Sequence, residues 1–432
     1  MNIGIATADI TPPLGVCLQG HFNRREASGI HDPLHARAFV FEHGGTRAAM
    51  VGCDLVVIPR DVADAARVLI AQQSGIPPTH VMIWATHTHA GPVLMDGDGD
   101  ERDEDYTGEL VRKLADVVRQ ASRDCRGRSL SVAFGEAHGV GFNRRYLMRD
   151  GSIRTNPGVG NPDILRPQAP IDPQVGCLYV SEGAAVPGVF VNFACHLDVL
   201  GSGNTLISAD YAYYLEETVR GGLGQDCVAL FGNGASGDIN HIDVHANTPQ
   251  GGFERSRAMG EALGGEVLRC LKPAEPLGQA TGPEAILSAN SEIVPLPYRR
   301  FSEAELAGFR ATLAEGDPEE RSFAKLNARS SLLRHESGDD TYPAEVQVLR
   351  IGDAAVIGVP AEFFVEFGLD IKRRSPAKHT FVVELANDCI GYVPTPEAIS
   401  AGAYEGNSAR FSPEAGQMLA DAALSLTAKE PL

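Results

Sequence analysis

Two histidines, His87 and His89, stand between the apolar run Val81-Met82-Ile83-Trp84-Ala85 and the stop Ala90-Gly91-Pro92. The run reads as a buried strand, and Ala-Gly-Pro ends it and turns the chain. Residues two apart in extended backbone share a face, so this spacing predicts two imidazoles leaving a rigid strand end on one side. Neutral imidazole ligates zinc, copper, iron or nickel. A second apolar run, Gly188 to Cys195, ends in His196. The segment Gly358 to Phe364 places Glu362 where a strand is expected to give way to a helix, and Glu384 to Pro394 presents Tyr392 after a glycine. Two histidines and a carboxylate at strand ends suit a catalytic zinc, which keeps one position open for water. Each residue also has an ordinary use: a hydrogen-bonded histidine at a strand rim, a glutamate favoured by a helix dipole, a packed tyrosine. Spacing alone does not bring them together.

The elements that must position these groups alternate in kind. Leu34–Glu42 and Ala48–Ile58 read as a hairpin around His43-Gly44-Gly45-Thr46. The segment 59–74 has apolar residues at helical spacing, and the histidine strand follows it. A second strand pair is expected over 175–181 and 186–196, with helices near 209–221 and 253–271. A hairpin is expected around Gly352-Asp353 and a last strong strand at 380–387. Segment 143–173, rich in Arg, Pro, Gly and Asn, carries no periodic pattern and reads as a long functional loop. The acidic stretch 95–101 lacks the last glutamate of a calcium-binding EF-hand loop and reads as surface. A hairpin, a helix and another strand imply mixed sheets with flanking helices, an α/β fold. No repeat or linker marks a boundary, so residues 1–432 are expected to form a single catalytic domain with a helical insertion at 303–337.

Composition narrows the function classes. The chain has 37 basic and 56 acidic residues and a net charge of −19, which disfavours nucleic acid and anionic membrane surfaces as partners. The N-terminus has no basic and apolar leader pattern, and no stretch is apolar enough to span a bilayer. Eight cysteines are scattered without C-x-x-C pairing, several inside apolar runs, as expected for buried thiols in a reducing cytoplasm.

Taken together, the segments Ala85 to Pro92, Asn192 to His196, Ala361 to Phe363 and Asn387 to Val393 resemble, in order and spacing, the motifs of the neutral/alkaline non-lysosomal ceramidases. Gly4 to Thr11, and Gly29-Ile30-His31 through Ala36-Arg37-Ala38, resemble that family's N-terminal signature. The resemblance implies one zinc ion held by His87, His196, Glu362 and Tyr392, with His89 as partner of the attacking water. It implies that Arg144 faces the scissile group and that Tyr404 hydrogen-bonds near the substrate carbonyl. Three features depart from the family. Asn240 stands where the family carries a serine, with Ser236 nearby in another register. The family's C-terminal immunoglobulin-like domain has no counterpart before Leu432. No secretion signal is seen.

The expectation is a zinc-dependent hydrolase that cleaves an amide (N-acyl) bond of a small, soluble molecule by metal-activated water. His89 would serve as base, and Arg144, Tyr404 and Asn240 as donors to the developing charge. Asp210 or Asp238 would orient a ligand histidine. An esterase or lactonase acting on a polar, sugar-derived substrate, and a non-catalytic binding protein keeping the fold, are the competing classes. Iron or manganese would also suit the donors.

Overall fold

Strand pairing explains why so many polar groups sit at strand ends. The computed structural model describes residues 1–95, 100–282, 284–317 and 321–429. Most of the acidic stretch singled out near Asp98 lies outside them. The described strands build three main sheets of the same design. In the N-terminal sheet the order is Val81–Ala85, Thr46–Cys53, His35–His43, Asn2–Asp9 and Arg126–Gly127. All its pairings are antiparallel except the edge pair Thr46–Cys53 with Val81–Ala85. The central sheet runs Val228–Asn233, Ala185–Phe193, Gln174–Glu182, Ser129–Glu136 and Glu275–Pro276, and again only the first pair is parallel. The C-terminal sheet runs Leu287–Pro297, Thr341–Ile351, Ala354–Gly358 and His379–Val383, with the last pair parallel.

A parallel pair puts two C-terminal ends side by side, where open α/β sheets form their crevices. His87 and His89 follow one such pair. His196 and Ser236 follow the second, and Glu362, Glu384 and Tyr392 the third. The three rims meet because the sheets share a core. Phe39, Trp84, Phe190, Leu230, Val356 and Phe381 come from all three sheets and form one buried cluster. Full burial of each such side chain contributes about 1.5–3 kcal/mol. The indole of Trp84 donates to the carbonyl of Phe231 at 2.8 Å and locks the first rim to the second. Outside this core each sheet is covered by its own helices. Arg60–Ser74 and Glu104–Arg123 pack on the N-terminal sheet, Tyr211–Leu223 and Phe253–Leu271 on the central one, and Val365–Arg374 and Ala415–Ala428 on the C-terminal one. This is the expected mixed α/β architecture.

The covering helices approach closely. A Cβ at Gly4 would lie 1.8 Å from the carbonyl oxygen of Ala121, in helix Glu104–Arg123. Backbone cannot rotate away as a side chain does. Gly4→Ala is therefore expected to lower stability by about 1–3 kcal/mol, seen as a lower urea midpoint at unchanged m. An unmoved midpoint would mean that strand and helix separate more easily than their packing implies.

Two expectations are corrected here. The aperiodic segment after Asn143 is not a loop throughout: Arg145–Met148, Ile153–Thr155 and Ile164–Pro167 form a small antiparallel sheet. Its strands are three or four residues long, Arg145–Met148 mostly buried and the two flanking strands largely exposed, too short to show alternation. Glu362 does not open a helix. Glu362–Phe363 is a short strand paired in parallel with Tyr392–Val393, and the helix begins at Val365. The expected helical region near 303–337 contains Glu303–Ala314, with a Ser302/Glu305 capping box, and Phe323–Ser337. Among the described residues no helix is long and apolar enough to cross a membrane.

Candidate metal centre and cavity

The strand carrying the first two histidines ends at Ala85, so extended alternation is not what aligns them. His87 instead adopts φ 76°, a conformation uncommon outside glycine. It is held there by its amide donating to Leu55 O at 2.9 Å and its Nδ1 to Val56 O at 2.8 Å. The chain then bridges to the His196 segment at Thr88–Leu197, and the His89 amide donates to Leu197 O at 3.0 Å. His196 follows its strand directly; its amide donates to Ile239 O at 3.1 Å and its Nδ1 to Ser236 O at 2.8 Å. Glu362 and Tyr392 are direct partners in the short parallel ladder, which places two groups thirty residues apart side by side.

These elements bring the donor atoms together. Glu362 Oε2 lies 3.5 Å from His87 Nε2 and 3.2 Å from His196 Nε2. The Tyr392 hydroxyl is 3.4 Å from His196 Nε2. His89 Nε2 is 3.2 Å from His87 Nε2, and its Nδ1 donates to Gly20 O at 2.9 Å. All three imidazoles thus face a backbone carbonyl through Nδ1. A carbonyl only accepts, so neutral rings carry their proton outward and turn the Nε2 lone pairs inward. Lone pairs of nitrogen and a carboxylate facing each other repel unless positive charge lies between them. A tetrahedron of bonds about 2.1 Å long has edges of about 3.4 Å, the spacing of this set. The residues fit a divalent transition metal on chemistry and on size.

The electrostatics favour neutral rings at His196 and His89 and an ionised Glu362, and act the other way at His87. Burial disfavours a charged His87, yet Glu362 beside it holds its pKa above the ordinary histidine value. Burial, the Arg144 charge and His87 pull His196 down to about 4. Burial and the surrounding histidines hold His89 well below its usual value, against Asp198. Burial opposes ionisation of Glu362, but hydrogen bonds and charge from His196 and His87 keep it well below the carboxylate range.

Ser236 completes the support of His196. Its hydroxyl lies 3.2 Å from His196 Nδ1 and donates to Glu384 Oε1 at 2.5 Å, and Glu384 Oε2 accepts from the amides of Ser236 and Phe363 at 3.1 Å each. Burial pushes Glu384 up to about 7. Supporting groups of this kind tune ligand orientation. Ser236→Ala is expected to weaken metal affinity by about 10–100-fold, measured by competition with a chelator, without unfolding the chain. Unchanged affinity would mean that the Ser236 carbonyl alone orients the ring.

The other expected groups fall into two sets. Arg144 is buried; its Nε donates to Glu405 Oε1 at 2.8 Å, and its Nη2 to Gly237 O at 2.7 Å and to the Tyr392 hydroxyl at 3.1 Å. It lies behind Tyr392 rather than on the cavity wall. Tyr404 does line the cavity, edge-on to Tyr392 with ring centroids 5.4 Å apart. Asn240 does not reach the cluster: its amide donates to Asn156 Oδ1 at 2.9 Å, and its oxygen accepts from the Ile242 amide at 3.1 Å. Asp210 and Asp238 orient no histidine. Asp210 accepts from the Val199 amide at 2.8 Å, and Asp238 from Val365 N at 3.0 Å and Asn143 Nδ2 at 2.6 Å. The clustered histidines take backbone carbonyls instead.

Sequence reasoning missed Asp198 and His21. Asp198 Oδ1 lies 3.1 Å from His21 Nε2 and 3.8 Å from His89 Nδ1, so a carboxylate stands behind the third imidazole. The signal available was a lone Asp two residues after His196, the same spacing that singled out His89.

The cluster opens into a cavity of about 690 Å³, within the range of small-molecule sites. His87, His89, Glu362, Tyr392 and Tyr404 lie on its wall, with Phe22, Leu326 and Phe411 among its apolar residues.

The family described as neutral/alkaline non-lysosomal ceramidase, N-terminal, matches residues 1–248. A neutral ceramidase of Mycobacterium tuberculosis is 25% identical over 95% of this chain and 74% of its own length. One of Pseudomonas aeruginosa is 26% identical over 100% of this chain and 73% of its own. The crystal structure of neutral ceramidase from Pseudomonas aeruginosa superposes with a TM-score of 0.76 at 23% identity, covering 100% of this chain and 75% of that one. A ceramidase complexed with C2 gives the same TM-score, 0.76, at 21% identity. These structural likenesses establish the fold.

Proposed function

The chain belongs to the neutral/alkaline non-lysosomal ceramidase family, and from that premise we propose that it cleaves the amide bond of an N-acyl substrate with one zinc ion held by His87, His196, Glu362 and Tyr392. The observation that carries this reading is the convergence of these donors, protons outward, at the floor of a cavity. A divalent cation there supplies Lewis acidity for the carbonyl and lowers the pKa of water.

The remaining work falls to side chains. His89 lines the cavity with its unprotonated Nε2 facing the cluster. It accepts the proton of the attacking water and later returns it to the leaving amine, general acid–base work that contributes about 10²–10⁴-fold. Tyr404 donates to the carbonyl oxygen as negative charge develops there, and loss of one such donor typically costs about 10²–10³-fold in rate. Arg144 is a positioning residue. Burial and the neighbouring Glu362 hold the Tyr392 hydroxyl well above the usual tyrosine pKa, and the Arg144 charge beside it works the other way, toward phenolate. Asn240 has no part in the chemistry, because both ends of its amide are engaged elsewhere.

The test is metal analysis of protein purified without added metal, followed by turnover of a matched N-acyl amide and ester. About one metal ion per chain and hydrolysis of the amide support the reading. Turnover of the ester alone moves the chain to the esterase class. Absence of metal after reconstitution removes the mechanism.

A further inference from the structure

The cavity holds positive charge that the hydrolytic chemistry does not use. Beyond the cluster its wall is formed by helix Phe323–Ser337 and the segments carrying Tyr298 and Arg410. Arg334 and Arg410 both line it. Arg334 donates only to hydroxyls, from Nη1 to Ser330 Oγ at 2.6 Å and from Nη2 to Ser331 Oγ at 3.1 Å. Among the described residues neither arginine has an ion-pair partner, whereas Arg299, Arg300 and Arg321 do.

The nearby carboxylates are already committed. Asp388 binds Arg60 at 2.8 Å and the Tyr342 hydroxyl at 2.7 Å. Asp100 binds Arg321 at 2.7 Å and Arg24 at 3.3 Å, and Glu305 binds Arg299 at 3.3 Å. Asp339 stands on the exposed rim. Burial, followed by repulsion from Arg410, pulls Arg334 down to about 10, so a counter-charge arriving here relieves an existing penalty. Arg410 also lies close to the cluster. A Cβ at Gly391, the residue before Tyr392, would be 3.5 Å from Arg410 Nε.

We propose that Arg334 and Arg410 form an oxyanion subsite in the cavity that selects N-acyl substrates bearing a carboxylate or phosphate group a few bonds from the scissile amide. Guanidinium is the side chain best matched to either oxyanion, through paired N–H donors. Cleavage of such molecules rests on the hydrolase reading above; the subsite itself does not.

The experiment measures binding to the full-length, metal-loaded protein by calorimetry. The probe is the ketone isostere of N-hexanoylglycine, which cannot be hydrolysed. It is compared with its neutral carboxamide twin and with the corresponding phosphate ester. The parent is expected to bind at least one anionic probe about 10–100-fold tighter than the neutral twin, the range of charge-assisted hydrogen bonds. The tighter of the two anions identifies the oxyanion. In Arg410→Met and in Arg334→Met the ratio of anionic to neutral affinity collapses toward one. Equal affinities in the parent, or a ratio that survives both substitutions, overturn the subsite. Should one variant fail to fold, the other and the parent comparison still decide. Turnover of N-hexanoylglycine is followed separately. Lack of turnover with preserved anion preference counts against the hydrolase reading alone. Turnover without anion preference counts against the subsite alone.

Discussion

His196→Ala is expected to purify with little metal and to lose about 10³-fold or more in kcat/KM, some 4 kcal/mol of transition-state stabilisation. Of the four proposed ligands, His196 is the one whose loss is least replaceable. It is 1% exposed, and among the described residues its Nε2 is the nitrogen that approaches both Glu362, at 3.2 Å, and the Tyr392 hydroxyl, at 3.4 Å. Removing it opens one side of the donor set and leaves Glu362 with His87 as its nearest imidazole partner. A ligand that binds only the folded state adds to stability. A chelator should therefore lower the unfolding midpoint of the parent and leave that of the variant where it is. His89→Ala separates ligand from base. If His89 handles protons, that variant keeps its metal and loses about 10²–10⁴-fold in kcat. If His89 Nε2, 3.2 Å from His87 Nε2, binds the metal itself, His89→Ala loses metal as well. Equal metal content in parent and His196→Ala would remove the centre altogether.

What the sequence reveals of this site follows from how local each signal is. His87, His89 and His196 are legible because each ends a run of apolar residues whose burial dictates a strand. The sense of the His87–His89 pair is not legible. It comes from a left-handed residue pinned by Leu55 and Val56, which lie thirty residues upstream. Glu362 and Tyr392 are weak signals on their own, since their meaning comes from a two-residue parallel ladder between distant segments. Tyr392 is legible through the family resemblance alone, since periodicity offers nothing there. Register in the sequence favours Asn240 over Ser236. Folding reverses the two, because the turn Asn233-Gly234-Ala235-Ser236 tucks Ser236 beneath His196 while Asn240 faces Asn156. The three-sheet plan is not legible for a similar reason. Each hairpin was visible, but the core built from Phe39, Phe190 and Phe381 joins residues more than a hundred positions apart.

Glu405→Gln is expected to cost about 3–5 kcal/mol of stability, the usual consequence of breaking a buried ion pair from one side. Glu405 is fully buried and accepts from Arg144 Nε at 2.8 Å, Arg145 Nη1 at 2.6 Å and Thr155 Oγ1 at 2.7 Å. Glutamine keeps the shape and removes the charge, leaving two buried guanidinium groups without their shared carboxylate. The pH dependence has a definite sign. Burial works against ionisation of Glu405, but Arg144 and Arg145 win and hold its pKa below the ordinary value. Its contribution is therefore complete above the unfolded glutamate pKa of about 4.3 and is lost as pH falls through the depressed folded value. Urea titrations should show parent and variant furthest apart near neutrality and converging in acid. The same substitution loosens Arg144, whose Nη2 reaches the Tyr392 hydroxyl at 3.1 Å. Metal affinity should then fall by about 10–100-fold, as for other supporting groups around metal ligands. A Glu405→Gln protein within about 0.5 kcal/mol of the parent, the range of inert surface changes, would mean that water or another carboxylate reaches the two arginines. If affinity stayed at the parent level despite a large loss of stability, Arg144 would hold the fold together without tuning the metal centre.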